Sequence, residues 1–235
     1  VIDLENLVQS HCTCAEYAYP YPCKHLTACY ISIKNTDILN DDDGKYEKYQ
    51  NQELNENQKI APVNPYAVSK TFQDLLSQVY FKSFNLKIII TRMFSYTNSR
   101  RNNLFQTAFA NQIAEIEKGK LKQLKHGNLK SIRTFVDIDD AMEAYWLAAK
   151  KGKIGEVYNI GGNKIISVKQ FLKELIKLAK CKIKHSIDKK LLRPQDVTLQ
   201  IPDVRKFNKD TGWSPKVTFH DSVKKLLNEC RKKYS

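Results

Sequence analysis

Apolar residues at Phe72, Leu75, Leu76, Val79, Tyr80 and Phe84 recur at helical spacing. They predict an amphipathic helix from about Pro65 to Phe84, with proline at the first helical position. The run Leu86-Lys87-Ile88-Ile89-Ile90-Thr91 reads as a buried strand. A polar loop centred on Asn98-Ser99-Arg100-Arg101 leads to a second amphipathic helix from Leu104 to Lys118, stopped by Gly119. A short strand near Leu121–Leu124 precedes a turn at His126-Gly127-Asn128, and Arg133 to Val136 is the next strand. Asp137 caps a helix running to about Lys151. Glu156 to Ile160 is a strand closed by Gly161-Gly162, Ser167 caps a helix to about Lys180, and Lys182 to Ile187 is another strand. The last helix spans about Asp221 to Lys233. Strands alternating with helices predict an α/β fold on a parallel sheet.

The first third of the chain lacks this regularity. Tyr17 to Pro22 has the proline spacing of a loop, and Tyr30 to Ile33 is a short strand. Asn40 to Asn57 is polar and acidic. Its Asp41-Asp42-Asp43-Gly44 is a turn signal and lacks the ligand spacing of an EF-hand loop.

With 235 residues the chain is long enough for one large domain or two small ones. No run is long enough to span a bilayer, and the first residues lack the pattern of a signal peptide, so a cytoplasmic protein with no membrane partner is expected. The net charge of +14 points to an anionic ligand, either a phosphorylated small molecule or a nucleic acid. No nucleic-acid motif accompanies the charge, so the small molecule is expected. Cys12, Cys14, Cys23 and Cys29 cluster near His11 and His25, but their spacing matches no common C-x₂-C zinc pattern. Free thiols and no metal are expected.

The candidate chemistry sits in Asn64-Pro65-Tyr66-Ala67-Val68-Ser69-Lys70. On a helix, Tyr66 and Lys70 share one face. An ammonium beside a phenol favours the phenolate, making it a usable base. On its own, the same spacing also describes an ordinary surface tyrosine and lysine.

Six segments in order carry a resemblance: NPYAVSK (64–70), TRMF (91–94), GNLKSIRTFVDIDDAMEAYW (127–146), GEVYNIGG (155–162), LRPQDV (192–197) and KFNKDTGWSP (206–215). With these the chain resembles the extended short-chain dehydrogenase/reductase superfamily, and more narrowly the GDP-mannose 4,6-dehydratases. The resemblance implies a partial Rossmann-type parallel sheet with an interleaved smaller C-terminal substrate-binding domain. Residues 1–100 would be the remnant C-terminal half of the dinucleotide-binding domain, with 133–162 packing back onto it. Residues 101–235 would be mainly the GDP-sugar domain.

The implied reaction uses NADP. Hydride leaves C4 of the hexose as the tyrosine takes the hydroxyl proton, a carboxylate removes the C5 proton, water leaves from C6, and the hydride returns to C6. Tyr66 and Lys70 take the tyrosine and lysine roles. Thr36 would bind the C4 oxygen, and Asp37 would be the C5 base. Gln9 and Ser10, in a segment resembling AAQSH, would contact cofactor together with Lys70, Tyr21, Tyr96 and Arg101. Ser95, Arg133 and Arg193 would contact substrate, the arginines gripping the diphosphate. A homo-oligomer is implied.

The chain also departs from the pattern. The family's Asn-His after TRMF is here Ser95-Tyr96, and no glycine-rich strand–turn–helix segment is present. Those glycines let backbone N–H groups approach a pyrophosphate. Two alternatives therefore stand beside the dehydratase. One is a GDP-4-keto-6-deoxymannose reductase, which needs no C5 base. The other is a catalytically incompetent fragment that only binds nucleotide sugar.

Overall fold

The computed structural model describes residues 53–62, 64–192 and 198–234. Helix α1 spans Pro65–Phe84. Its Asn64 cap accepts a hydrogen bond from the Ala67 N–H at 2.9 Å. It ends at Asn85, whose φ of 53° is a left-handed conformation that asparagine tolerates.

The predicted helix is present, but its faces are inverted. Ala67, Lys70 and Asp74 are buried. The apolar stripe points outward, with Phe72 52% and Phe84 64% exposed. Arg92 on strand β1 (Ile90–Met93) is buried under the inward face and meets the Asp74 carboxylate there, which holds that polar face against the strand. Its Nη1 also donates to the Glu56 carbonyl at 2.8 Å.

Strand β1 pairs in parallel with β4 (Val157–Ile160), in register from Ile90–Val157 to Met93–Ile160. The strand begins four residues later than the apolar run suggested. Phe94 N–H extends the pairing to the Ile160 carbonyl at 2.8 Å, and Tyr96 bridges to Val136. Between them in sequence come α2 (Phe105–Glu117), β2 (Leu124–His126), β3 (Ile132–Thr134) and α3 (Ile138–Lys151). After β4 come β5 (Ile165–Ser167), α4 (Val168–Lys177), β6 (His185–Ile187), β7 (Leu199–Gln200), α5 (Arg205–Thr211) and α6 (Phe219–Lys232).

Two cores result. Met93, Ala141, Ala144, Tyr158, Ile160, Phe207 and Trp213 pack α3 and α5 against the β1–β4 pair. Phe109, Ile113, Leu124, Phe171, Leu175, Val223 and Leu227 join α2, β2, α4 and α6. Strand β3 lies between antiparallel β5 and parallel β7, and β2 pairs in parallel with β6.

The capping signals did their predicted work. Asp137 accepts from the Asp139 N–H, and Ser167 forms a full capping box with Gln170. His126 closes a strand instead of opening a turn. Its imidazole bonds to the Gly127 carbonyl through Nδ1 at 2.9 Å and meets His185 Nδ1 through Nε2 at 3.1 Å. Among the described residues no helix is long and apolar enough to cross a membrane.

Candidate active site

Tyr66 and Lys70 lie on the first turns of α1. Asn64 and Pro65 fix where that helix starts, so the four-residue spacing becomes a spatial pair. The Lys70 Nζ stands 5.7 Å from the centre of the Tyr66 ring and donates to Gln73 Oε1 at 3.1 Å. Lys70 is buried, while Tyr66 is 49% exposed. The ammonium is thus held in place beneath a phenol that solvent or a ligand can reach.

Ser95, Tyr96 and Arg101 follow β1, the strand whose Arg92 anchors α1. The Ser95 carbonyl accepts from Val136 N–H at 3.1 Å, and the Thr97 N–H donates to the Val136 carbonyl at 3.0 Å. The loop is therefore stitched to the residue preceding Asp137. Tyr145, on α3, lies close enough to Tyr96 and Arg101 to feel both. Burial pushes its phenol well above the ordinary range, the field of Tyr96 adds to the rise, and Arg101 opposes it.

A buried network fixes this loop from behind. Thr97 Oγ1 and Ser222 Oγ are 2.7 Å apart, and Ser222 donates to Asp137 Oδ2 at 2.7 Å. Lys225 reaches Asp137 Oδ1 at 2.9 Å. Burial would raise the Asp137 carboxyl, but the Asp139 N–H, Ser222 and Lys225 hold it below its ordinary value. Sequence reasoning read Asp137 only as a cap and missed Tyr145, Thr97 and Ser222.

Arg133 is half-buried on β3 and donates from Nη1 to Gln200 Oε1 on β7. Gln9, Ser10, Tyr21, Thr36, Asp37 and Arg193 lie outside the described residues. Two surface depressions, of about 440 and 410 Å³, run along α6 and are lined by residues such as Lys224, Glu229 and Lys232 or Glu117 and Arg231. None of the candidate residues lines either one.

By their chemistry Tyr66 and Lys70 fit the nicotinamide end of a dinucleotide, a phenol beside an ammonium. Tyr96 and Arg101 lie on the loop after β1. The pyrophosphate end has no bed among the described residues. A Cβ on Gly162 would lie 2.0 Å from the Phe135 carbonyl oxygen, so this glycine serves contact with the neighbouring chain segment.

Residues 43–226 match the family model described as GDP-mannose 4,6 dehydratase. The chain belongs to this family. Members of the dehydratase family and its relatives also align with the chain. dTDP-D-glucose 4,6-dehydratase of Homo sapiens is 29% identical over 188 residues, 78% of this chain and 53% of that protein. GDP-6-deoxy-D-mannose reductase of Pseudomonas aeruginosa is 25% identical over 170 residues, 72% of this chain and 56% of that protein. Among solved structures, RMD from Pseudomonas aeruginosa complexed with NADPH superposes with a TM-score of 0.70 at 23% identity, covering 76% of this chain and 60% of that one. UDP-glucuronic acid 4-epimerase from Bacillus cereus, in complex with UDP-glucuronic acid and NAD, gives 0.69 at 26%, covering 77% and 57%. These neighbours confirm the expected α/β, Rossmann-type architecture.

The chain spans about half the length of the curated relatives it matches. The dehydratase match begins at residue 43, so Gln9, Ser10, Tyr21, Thr36 and Asp37 all lie upstream of it. Residues 1–32 instead match a second family model, the SWIM zinc finger. That match runs against the expectation of free thiols and no metal in this segment.

Proposed function

We propose that this chain carries the tyrosine–lysine half of a nucleotide-sugar 4,6-dehydratase that acts on a GDP-hexose with NADP. The observation carrying the reading is the Tyr66–Lys70 pair: a buried ammonium 5.7 Å from the ring centre of an accessible tyrosine, on the helix that Arg92 of β1 clasps through Asp74. Tyr66 accepts the C4 hydroxyl proton, and Lys70 favours the phenolate that does so. The nicotinamide supplies hydride acceptance and return when bound. Arg133 and Arg193 are the assigned diphosphate contacts, suited by their forked donors. Ser95 contacts the sugar; Thr36 and Asp37 serve C4 and C5; Tyr96, Arg101, Gln9, Ser10 and Tyr21 contact cofactor.

The exposed apolar stripe of α1 supports self-association into a homo-oligomer. Light scattering of the chain and of a Phe72→Ser/Val79→Ser variant tests this. A wild-type monomer at high concentration would remove the support.

The activity is tested by extending the chain upstream and supplying NADP⁺ with GDP-mannose, or with dTDP-glucose in parallel. Formation of a 4-keto-6-deoxy sugar from GDP-mannose, but not from dTDP-glucose, is expected. The reverse preference would reassign the base. A GDP-4-keto-6-deoxymannose substrate consumed with NADPH would make it the reductase. Binding of GDP-mannose without turnover would make it a binding fragment.

A second reading applies to the first 32 residues, on the strength of the SWIM match. Cys12, Cys14, Cys23 and His25 offer three thiolates and one imidazole, a donor set that suits structural zinc. Metal analysis of the purified chain tests it. One zinc per chain, released by thiol modification, is expected; no zinc would return these cysteines to free thiols.

A further inference from the structure

The charge of this chain is unevenly placed. Of its 39 basic residues, 29 lie beyond residue 100 with 14 of the 25 acidic ones, giving that part a net charge of +15. The excess concentrates further. Between residues 118 and 130 there are five lysines and no carboxylate side chain; between 180 and 192 there are five lysines and one, Asp188.

The fold brings these two segments together. β2 and β6 pair in parallel, Leu124 N–H donates to the Lys184 carbonyl at 2.8 Å, and Lys125 Nζ donates to Ser186 Oγ at 2.9 Å. Lys182, Lys184, Lys189 and Lys190 are exposed, and among the described residues none of them has an ion-pair partner. Aliphatic side chains project from the same corner: Ile187 is 61% exposed, Leu191 53% and Leu192 47%.

From this placement we propose that the β2–β6 corner is a docking surface for a lipid bilayer carrying anionic headgroups. Lysines confer attraction to a negative leaflet, and exposed aliphatics reach the boundary between headgroups and acyl chains. A nucleic acid would satisfy the charge alone. However, residues 118–132 contain no aromatic and no arginine, and 162–192 contain only the buried Phe171. Among the described residues of the corner, the only stacking rings are therefore His126 and the exposed His185, and no arginine fork is present.

The test is co-sedimentation of the full chain with vesicles of phosphatidylcholine alone, or mixed with phosphatidylserine. Binding to the mixed vesicles only, lost at high salt, is expected. Lys182→Glu/Lys184→Glu should weaken partitioning more than about tenfold. Ile187→Ser/Leu191→Ser should weaken it about tenfold while leaving the circular dichroism spectrum unchanged. Equal binding to both vesicle types would overturn the proposal. So would serine variants that bind as well as wild type. Should a variant unfold, wild-type binding is compared between phosphatidylserine vesicles and single-stranded RNA at matched salt. Preference for RNA would overturn the bilayer assignment; preference for vesicles upholds it.

Discussion

Arg92 on β1 clasps Asp74 on α1 through two parallel bonds, Nε to Oδ2 at 2.7 Å and Nη2 to Oδ1 at 3.1 Å, with both side chains buried. This fork docks the helix carrying Tyr66 and Lys70 on the sheet. Asp74 stands four residues after Lys70, so the same face that meets Arg92 also buries the lysine.

Removing one partner should therefore cost far more than removing both. Asp74→Ala strands a buried guanidinium and is expected to lose about 3–5 kcal/mol. The double variant Asp74→Leu/Arg92→Met should recover much of that loss. Urea denaturation of the three chains checks it; equal loss in single and double variants would show that the fork does not hold the helix.

Acid should loosen the join between the two cores. The Asp137 carboxyl is held below its ordinary value of 3.8 in the folded chain. Its stabilising contribution is therefore complete above about pH 4 and falls away as pH drops through the lower folded value. Glu117, Glu174 and Asp203 are also lowered and act in the same direction. Wild-type stability should fall more steeply below pH 4 than that of Asp137→Asn, as followed by urea midpoints across pH. Parallel curves would remove Asp137 from this role.

Gly162 allows close backbone approach. An added methyl would meet the Phe135 carbonyl oxygen at 2.0 Å and its carbon at 2.6 Å. Gly162→Ala should destabilise by about 1–3 kcal/mol or more, because backbone must move. Gly119→Ala faces open space, and its cost comes only from the positive φ of 71°. Thermal melts of the two variants separate steric from conformational effects.

Tyr66→Phe should divide chemistry from folding. The ring is half exposed, so stability should stay within about 0.5 kcal/mol of wild type. Product formation by the upstream-extended chain should fall at least about a hundredfold, since the proton acceptor is gone. A variant that turns over normally would take Tyr66 out of the reaction.

The part of the candidate site that was legible is the part that is local. Tyr66 and Lys70 needed only helical spacing and a start signal, and Asn64-Pro65 supplied one. Arg133 was visible in its motif, but its partner Gln200 was not. That residue sits on a two-residue strand with no periodicity to read. Tyr145 gave only the signal of an aromatic on a helix, since its neighbours Tyr96 and Arg101 come from more than 40 residues away.

Helix α5, seven residues long and mostly polar, and strand β5, three residues before a cap, were likewise unpredicted. Both owe their existence to long-range packing: Phe207 is buried against Tyr158 and Trp213, and β5 pairs with β3.

By itself the sequence determined the ends of α1, α2 and α3 to within a residue or so, because caps, prolines and glycines act within a few residues of themselves. It also determined the tyrosine–lysine pairing and the concentration of lysine in the C-terminal part. Only the tertiary structure decided which face of α1 turns inward. Periodicity marks two faces but cannot rank them when a buried arginine from another strand demands a carboxylate. The gathering of two distant lysine segments at one corner was settled the same way, by strand pairing between residues far apart in the chain.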